Sequence, residues 1–219
     1  NRERDIVTGM TIPPSLSVRS MMSFVNKWAW LWGLARNRDF TLANLRDSID
    51  PRKSGAMSII DYVNQQFDPA VSWDDVAWIR AHWPGPLIIK GILSPEDARQ
   101  AMQMGATAIM VSNHGGRQLD SAAAPIDCIP AIRDAVGEDL ELIVDGGIRR
   151  GSHIFKALAL GASACSIGRP YLYGLATGGE SGVAKAIDIL ASETRRCMLL
   201  AGYDSINALR TSPPVRRVG

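Results

Sequence analysis

Residues 142–151, with the sequence LIVDGGIRRG, join a run of branched apolar side chains to a glycine-rich turn. The run Leu142-Ile143-Val144 is typical of a strand buried on both faces, as the strands of a parallel sheet are. Asp145-Gly146-Gly147 ends this strand, and Ser152–Leu160 then has the pattern of a helix that ends before Gly161. Strand, loop and helix follow one another directly, which predicts the repeating unit of an α/β fold.

The same pattern occurs at three other places in the second part of the chain. Predicted strands end at Lys90-Gly91 after Leu87-Ile88-Ile89, at residues 112–116 after Ala108–Val111, and at Gly168-Arg169 after Ala164–Ile167. Successive strand ends lie roughly 20 to 35 residues apart, which is compatible with the average of about 31 residues per unit of a (β/α)8 barrel. The spacing alone leaves a doubly wound sheet open as an alternative.

Helix signals separate these predicted strands. Ser72 and Ser94 are expected N-caps, with Pro95 at the first helical position and Gly105 after the last. Further helices are predicted over 129–136, with Pro130 in the first turn, and near the chain end. Two apolar helix faces are predicted, the first made of Val76, Ile79 and Trp83 and the second of Val183, Ile187, Leu190 and Cys197.

Composition excludes several classes of protein. The chain has 219 residues, a net charge of +2, 46% hydrophobic and 21% charged residues, which indicates a folded domain rather than a disordered chain. The near-neutral charge argues against nucleic acid as a partner. Three widely spaced cysteines without a C-x-x-C pair indicate a reducing compartment, and the cytoplasm is the expected location. The three histidines show no metal-binding spacing, so no metal site is expected.

Polar and charged side chains follow the end of each predicted strand. They are Lys90, His114, Arg117, Asp145, Arg149 and Arg169. Active sites of α/β proteins lie at the carboxyl edge of the sheet, so these side chains are expected to meet there. The loop from Asp145 to Gly151 offers backbone N–H groups before a helix and is predicted to hold a phosphate together with Gly168-Arg169. A plain glycine-rich turn is the alternative interpretation of that loop.

Residues 112–120, with the sequence SNHGGRQLD, carry the most specific signal. The imidazole of His114 can take up a proton near neutral pH. Arg117 can bind a carboxylate through two parallel hydrogen bonds. Taken alone, the two side chains indicate general-base chemistry on a small carboxylate.

Ile89-Lys90-Gly91, residues 112–120, residues 145–151 and Gly168-Arg169-Pro170 together resemble the FMN-dependent L-2-hydroxy-acid dehydrogenase/oxidase family. The resemblance implies a (β/α)8 TIM barrel with FMN at the carboxyl mouth. It implies that residues 69–219 are strands five to eight of that barrel. It also implies that residues 1–68 are a long insertion after strand four.

The resemblance also implies a role for each matching residue. Lys90 would lie beside the N1/O2 edge of the flavin, and Ser112 would contact the flavin ring. The ribityl chain and phosphate would be held by Asp145, Gly146, Gly147, Arg149, Gly168 and Arg169. His114 would be the catalytic base, and Arg117 would bind the carboxylate of a lactate-like 2-hydroxy acid. The product would be the 2-oxo acid, and carbanion and hydride routes both stay open.

Several features of the family pattern have no counterpart in the sequence. They are an aspartate that orients the base, two tyrosines and the FMN contacts of the first four strands. We therefore expect an N-terminally truncated chain that alone binds FMN poorly and turns over negligibly. For the intact protein, the alternatives to a dehydrogenase that passes electrons to a quinone or cytochrome are an oxidase that uses O₂ and a non-redox FMN barrel such as an isomerase. An inactive fragment or binding module is the alternative for this polypeptide.

Residues 16–38 contain no acid but several basic, methionine and tryptophan residues. Aromatic and basic side chains together are typical of a membrane interface, so this segment is expected to face a membrane surface. The alternative is an insertion that packs on the barrel or in a contact between subunits, because a homo-oligomer is expected for the full-length protein.

Overall fold

The computed structural model describes Met22, residues 27–36 and residues 67–214. The chain divides into two compact units, Asn1–Val71 and Ser72–Gly219. Helix α1, Trp28–Arg36, belongs to the first unit. Apart from Met22 and residues 27–36, the expectations for residues 16–38 lie outside the described residues.

The second unit contains a four-stranded parallel sheet. Its strands are β1 (Ile88–Ile92), β2 (Ala108–Ser112), β3 (Glu141–Asp145) and β4 (Ala164–Ser166), and they lie side by side in chain order. Ser112 is opposite Asp145, which is in turn opposite Ser166, so three strands end level with one another. Each strand lies beside its predecessor without the reversal of order that marks a doubly wound sheet, which favours the barrel arrangement.

Helices alternate with these strands. They are α2 (Trp73–His82), α3 (Pro95–Gln103), α4 (Pro125–Val136), α5 (Gly151–Ala159), α6 (Arg169–Leu200) and α7 (Ile206–Thr211). A short 3₁₀ turn, His114–Gly116, follows β2. Helix α6 is broken at Gly178 and Gly179, whose backbone angles are not helical.

The main core lies between the sheet and helices α3 and α4. Ile109, Ile129, Ile132 and Leu142 are fully buried in it, and Trp73 at the start of α2 packs against the same cluster. A second cluster joins α5 to the chain end through Phe155, Leu158, Ala159 and Leu209. The branched residues predicted as strands therefore supply one layer of a continuous apolar core.

The predicted helix starts at Ser72 and Ser94 are confirmed. The Ser94 hydroxyl accepts the backbone N–H of Asp97 at 3.1 Å, and the Asp75 carboxylate accepts that of Ser72 at 2.7 Å. These bonds satisfy backbone groups that the first helical turn leaves without a partner. The Asp75 pKa is lowered because the carboxylate accepts from both the backbone N–H and the hydroxyl of Ser72.

Three helix predictions are corrected. Helix α4 begins at Pro125, so Pro130 lies in its second turn, where fully buried Ile129 and Ile132 on either side hold the helix in the core. The predicted face of α2 is largely exposed because Trp73 makes the core contact instead. The apolar face predicted for the long helix α6 is only partly buried. Leu190 is buried, whereas Ile187 is half exposed beside an apolar groove.

A bulge interrupts the pairing of β1 with β2. Lys90 is opposite Met110 and Ile92 is opposite Val111, so Gly91 is the extra residue. Its φ of +98° is a conformation that favours glycine. The bulge bends the chain immediately after Lys90, at the carboxyl edge of the sheet.

Candidate active site at the carboxyl edge of the sheet

A cleft of about 310 Å³ lies at the carboxyl edge of the sheet. The residues around it come from the ends of all four strands and from the start of α6. They are Lys90, His114, Gly115, Arg117, Asp145, Gly146, Gly147, Ile148, Arg149, Ser166, Gly168, Arg169, Pro170 and Leu172. The structure therefore brings together nine of the ten candidate site residues that the sequence indicated, and Ser112 is the exception.

Ser112 lies beneath the cleft, where 1% of its surface is exposed. Its hydroxyl donates to Asp145 Oδ2 at 2.6 Å and accepts from Lys90 Nζ at 2.9 Å and from the His114 backbone N–H at 3.0 Å. A serine hydroxyl has one proton and two lone pairs, so these three bonds use its whole capacity. Ser112 thus holds three site residues in place and does not line the cleft itself.

Lys90 and Asp145 form an ion pair at 3.2 Å on the cleft wall. Burial raises the pKa of Asp145, but hydrogen bonds from Ser112, Lys90 and Ser166 and the charge of Lys90 outweigh burial and hold the pKa below its ordinary value. Asp145 is therefore a carboxylate at neutral pH and fixes the direction of the Lys90 ammonium group.

His114 occupies a strained position at the cleft. Its φ of +55° is left-handed, as are those of Gly115 and Gly116 that follow. The turn is held by the Asn113 side chain, which accepts the Gly116 N–H at 3.2 Å. Gly91 packs against the imidazole, since a Cβ atom there would lie 3.2 Å from His114 Cε1. The bulge in β1 thus leaves room for the ring, and the strained turn directs it toward the cleft.

The cleft carries a strong excess of positive charge. Four of the lining residues are cationic, namely Lys90, Arg117, Arg149 and Arg169, whereas Asp145 is acidic. The Arg169 guanidinium also approaches the turn after His114, because a Cβ atom on Gly115 would lie 3.6 Å from Arg169 Nη2. Such an arrangement attracts an anionic ligand.

The structure changes the predicted role of the helix that follows the Asp145–Gly151 loop. The first N–H of α5, at Gly151, donates to Glu193 Oε2 at 2.8 Å, so a carboxylate of the protein already occupies that helix N-terminus. The N-terminus that lines the cleft is that of α6, where Gly168, Arg169 and Pro170 lie. Of these two helix N-termini, that of α6 lines the cleft, and the Asp145–Arg149 loop adds Arg149 to the same wall.

Sequence reasoning did not indicate several residues of the site. Ile148, Ser166 and Leu172 line the cleft without a distinctive motif. Ser166 could have been predicted as a site residue because it is the last residue of β4, opposite Asp145 at the end of β3. Glu193 could not, because it lies 42 residues from the Gly151 N–H that it accepts.

The described residues contain no cluster of three metal-ligating side chains. None of the helices in the described ranges is both long and apolar enough to span a bilayer. In α1, Trp28 is 73% and Trp32 66% exposed, and the Arg36 guanidinium lies 5.7 Å from the centre of the Trp32 ring.

A parallel βα sheet with a cationic, glycine-lined cleft at its carboxyl edge is typical of barrel proteins that bind a phosphorylated ligand. The model of one family, FMN-dependent dehydrogenase, matches residues 1–215. The chain belongs to this family, its sheet and helices are part of a (β/α)8 barrel, and its cofactor is FMN.

Solved structures of related proteins support this assignment. A monotopic membrane (S)-mandelate dehydrogenase is 36% identical, with a TM-score of 0.87 over 95% of this chain and 54% of the relative. A mandelate oxidase variant with a monooxide FMN adduct is 48% identical, with a TM-score of 0.64 over 66% of this chain and 46% of the relative. Mandelate oxidase with (S)-4-hydroxymandelic acid is 46% identical, with a TM-score of 0.67 over 72% of this chain and 44% of the relative. The chain spans about half the length of these relatives.

The residues of the cleft fit FMN. No heavy atom lies within 4 Å of the position that a Cβ atom would take at Gly147 or Gly168, so a ligand can approach the backbone at both places. Arg149, Arg169 and the N-terminus of α6 provide the charge and the donors that a phosphate requires. Lys90 lies on the same cleft wall and supplies a fixed cation.

Proposed function

We propose that this chain carries the base and the flavin-binding part of an enzyme that oxidises an L-2-hydroxy acid to the 2-oxo acid. The supporting observation is that His114 and Arg117 line the same cleft as Lys90 and the glycine-rich loops after β3 and β4. FMN accepts two electrons when it is bound there. Electrons are then passed to a quinone or cytochrome acceptor.

Each proposed role follows from the chemistry of the side chain. Arg117 binds the substrate carboxylate through its planar guanidinium. His114 takes a proton from the substrate, from the hydroxyl in a hydride route or from carbon in a carbanion route. Lys90, held by Ser112 and Asp145, would place its positive charge beside the flavin, where it would stabilise the negative charge of the reduced cofactor. Lys90, Ser112, Asp145, Gly146, Gly147, Arg149, Gly168 and Arg169 form the cofactor site, with Ser112 acting from below.

The proposed substrate is a lactate-like 2-hydroxy acid, and mandelate is the first competitor to test because the similar structures are named for it. Oxidation by O₂ is the second candidate reaction, supported by the mandelate oxidases among the similar structures. Two findings favour the dehydrogenase. The structure of the monotopic membrane dehydrogenase matches 95% of this chain, and the tryptophans of α1 are exposed. The proposed location is the cytoplasmic face of a membrane, with the protein as a peripheral homo-oligomer.

The variant His114→Gln tests the proposal in the FMN-loaded, intact protein, since the 219-residue chain alone is expected to turn over negligibly. We expect anaerobic flavin reduction by L-lactate or (S)-mandelate to slow roughly 10²- to 10⁴-fold, because glutamine cannot accept the proton. Stopped-flow absorbance measures the reduction, and the flavin content of the variant should stay unchanged. His82→Gln, which changes a histidine of α2 away from the cleft, is the matched control. Unchanged reduction kinetics in His114→Gln would remove His114 as the base.

A further inference from the structure

The loop after β3 forms one wall of the cleft, yet its backbone belongs to neither a strand nor a helix. Gly146 and Gly147 have φ angles of +118° and +76°, so this segment takes a shape that most residues avoid. Gly147, Ile148 and Arg149 face the cleft. A segment of this kind keeps one conformation when other groups hold its backbone.

His153, in the first turn of α5, contacts this segment from behind. Its Nδ1 lies 3.2 Å from the Arg149 backbone nitrogen and 3.1 Å from the Gly147 carbonyl oxygen. The His153 backbone N–H also donates to the Arg150 carbonyl at 3.0 Å, which fixes the ring relative to the loop. His153 therefore contacts backbone groups of two residues that line the cleft.

The two contacts of Nδ1 exclude one another chemically. Without a proton, Nδ1 accepts the Arg149 N–H; with a proton, it donates to the Gly147 carbonyl. The position of one proton on the ring thus determines which end of the Gly147–Arg149 segment is held.

Glu193 holds the next part of the loop. Its carboxylate accepts the Gly151 N–H and pairs with Arg150 at 2.8 Å. The Thr194 hydroxyl donates to the Leu190 carbonyl at 2.8 Å and also lies 3.3 Å from the Gly151 carbonyl. The start of α5 is therefore fixed to α6, while His153 is the side chain that connects this fixed point to the cleft-facing residues.

We propose that His153 is a positioning residue for the phosphate site: its Nδ1 holds the Arg149 backbone, so that Arg149 and the Gly147 peptide face the phosphate. This inference rests on the proposed function, because it takes the bound anion to be the FMN phosphate. His153 does not line the cleft itself, so its effect on the ligand passes through the loop.

The test compares FMN with riboflavin, which lacks the phosphate, on the 219-residue chain. Titrations followed by amide chemical shifts give the affinity for each ligand even when binding is weak. We expect His153→Leu to lower the affinity for FMN about five- to tenfold, the effect of losing one hydrogen bond, and to leave riboflavin binding unchanged. His153→Asn should restore FMN affinity to within about twofold, because its side-chain oxygen can accept the same N–H.

A second measurement is independent of the ligand. Hydrogen exchange at the Arg149 amide should accelerate in His153→Leu and stay slow in His153→Asn. His82→Leu is the control for loss of an imidazole at a distance from the cleft.

The outcomes separate the two proposals. If the wild-type chain does not prefer FMN to riboflavin, the phosphate site of the proposed function is overturned, and the positioning role of His153 falls with it. If the wild type prefers FMN and His153→Leu prefers it equally, the role of His153 alone is overturned. Unchanged exchange at Arg149 in His153→Leu would also overturn it.

Discussion

A single buried hydroxyl organises the site. Ser112 connects the ammonium group of Lys90, the carboxylate of Asp145 and the backbone of His114, and each of its three bonding positions is used. In a buried position such a group is costly to change, because removing it leaves its partners unsatisfied. The catalytic geometry proposed for Lys90 and His114 thus depends on a residue that the ligand need not touch.

Asp145 should make folding stability depend on pH. Its pKa is lowered in the folded state, so it stabilises the fold above the ordinary aspartate pKa of about 3.9, and this contribution is lost as the pH falls through the lower, folded-state value. Urea unfolding between neutral and acidic pH should therefore show the free energy of unfolding decreasing as acid is added.

The variant Ser112→Ala isolates this contribution, because it removes the Ser112 hydrogen bond that lowers the Asp145 pKa. We expect the pH dependence of unfolding to become shallower in Ser112→Ala and to stay the same in Ser192→Ala. Ser192 donates to a carbonyl of its own helix and serves as the control. Equal pH profiles for wild type and Ser112→Ala would contradict the account of Asp145.

Arg117→Lys tests the carboxylate-binding role of the guanidinium. Lysine keeps the charge but loses the two parallel hydrogen bonds, so the substrate affinity of the FMN-loaded, intact protein should fall roughly tenfold or more. Rapid-reaction titration of flavin reduction against substrate concentration measures the dissociation constant. Arg99→Lys, an exposed arginine on α3, provides the control. An unaltered concentration dependence in Arg117→Lys would argue against substrate contact at this residue.

The junction of α5 and α6 depends on the absence of a side chain. A Cβ atom on Gly151 would overlap the Thr194 backbone nitrogen and the Glu193 Cβ atom, so the two helices approach as closely as glycine allows. Gly151→Ala should therefore destabilise the protein by about 1–3 kcal/mol through overpacking. At Gly33, by contrast, the backbone is that of helix α1 and no heavy atom lies within 4 Å of the Cβ position.

Thermal unfolding distinguishes these two glycines. The melting temperature should fall by several degrees in Gly151→Ala, at about 2–4 °C per kcal/mol for a protein of this size. It should stay nearly constant or rise slightly in Gly33→Ala, because alanine is the better helix former. Equal melting temperatures for the two variants would show that α6 can move away from α5 at little cost.

Strands were predictable from local sequence where branched apolar residues form short runs. Ala108–Val111 and Leu142-Ile143-Val144 lie within strands of the structure, and the polar residues after them reach the cleft. Pro130 misled the prediction of α4, because burial of its neighbours outweighed its local effect on the helix. The occupied N-terminus of α5 was not predictable, since its partner Glu193 comes from a distant helix.

The cleft and the exposed tryptophans of α1 lie in different units of the chain. The second unit contains the cleft, whereas the first contains α1 with its exposed tryptophans and the cationic side chains of Lys27 and Arg36. Tryptophan beside basic residues is suited to the interface of an anionic membrane. The proposed membrane binding can therefore be tested with substitutions in α1 that leave the residues of the cleft unaltered.

A flotation assay with anionic vesicles tests this role of α1. We expect the protein to float with the vesicles at low salt and to dissociate partly at high salt, because part of the attraction is electrostatic. Replacing Trp28 and Trp32 with alanine should reduce the bound fraction several-fold, since both rings are exposed. Trp78→Ala, an exposed tryptophan on α2, should float like the wild type. Absence of flotation by the wild type would contradict the membrane role.

The occupied start of α5 has a consequence for how many anions the protein can hold. Glu193 is tethered to the chain, so it competes with free phosphate at an effective local concentration that reaches the millimolar range or more for groups joined in one molecule. Of the two helices that follow β3 and β4, one therefore carries its own bound carboxylate and the other remains available to an external anion. The proposed site at this edge of the sheet would therefore bind one phosphate, and isothermal titration with FMN would be expected to give one site per chain.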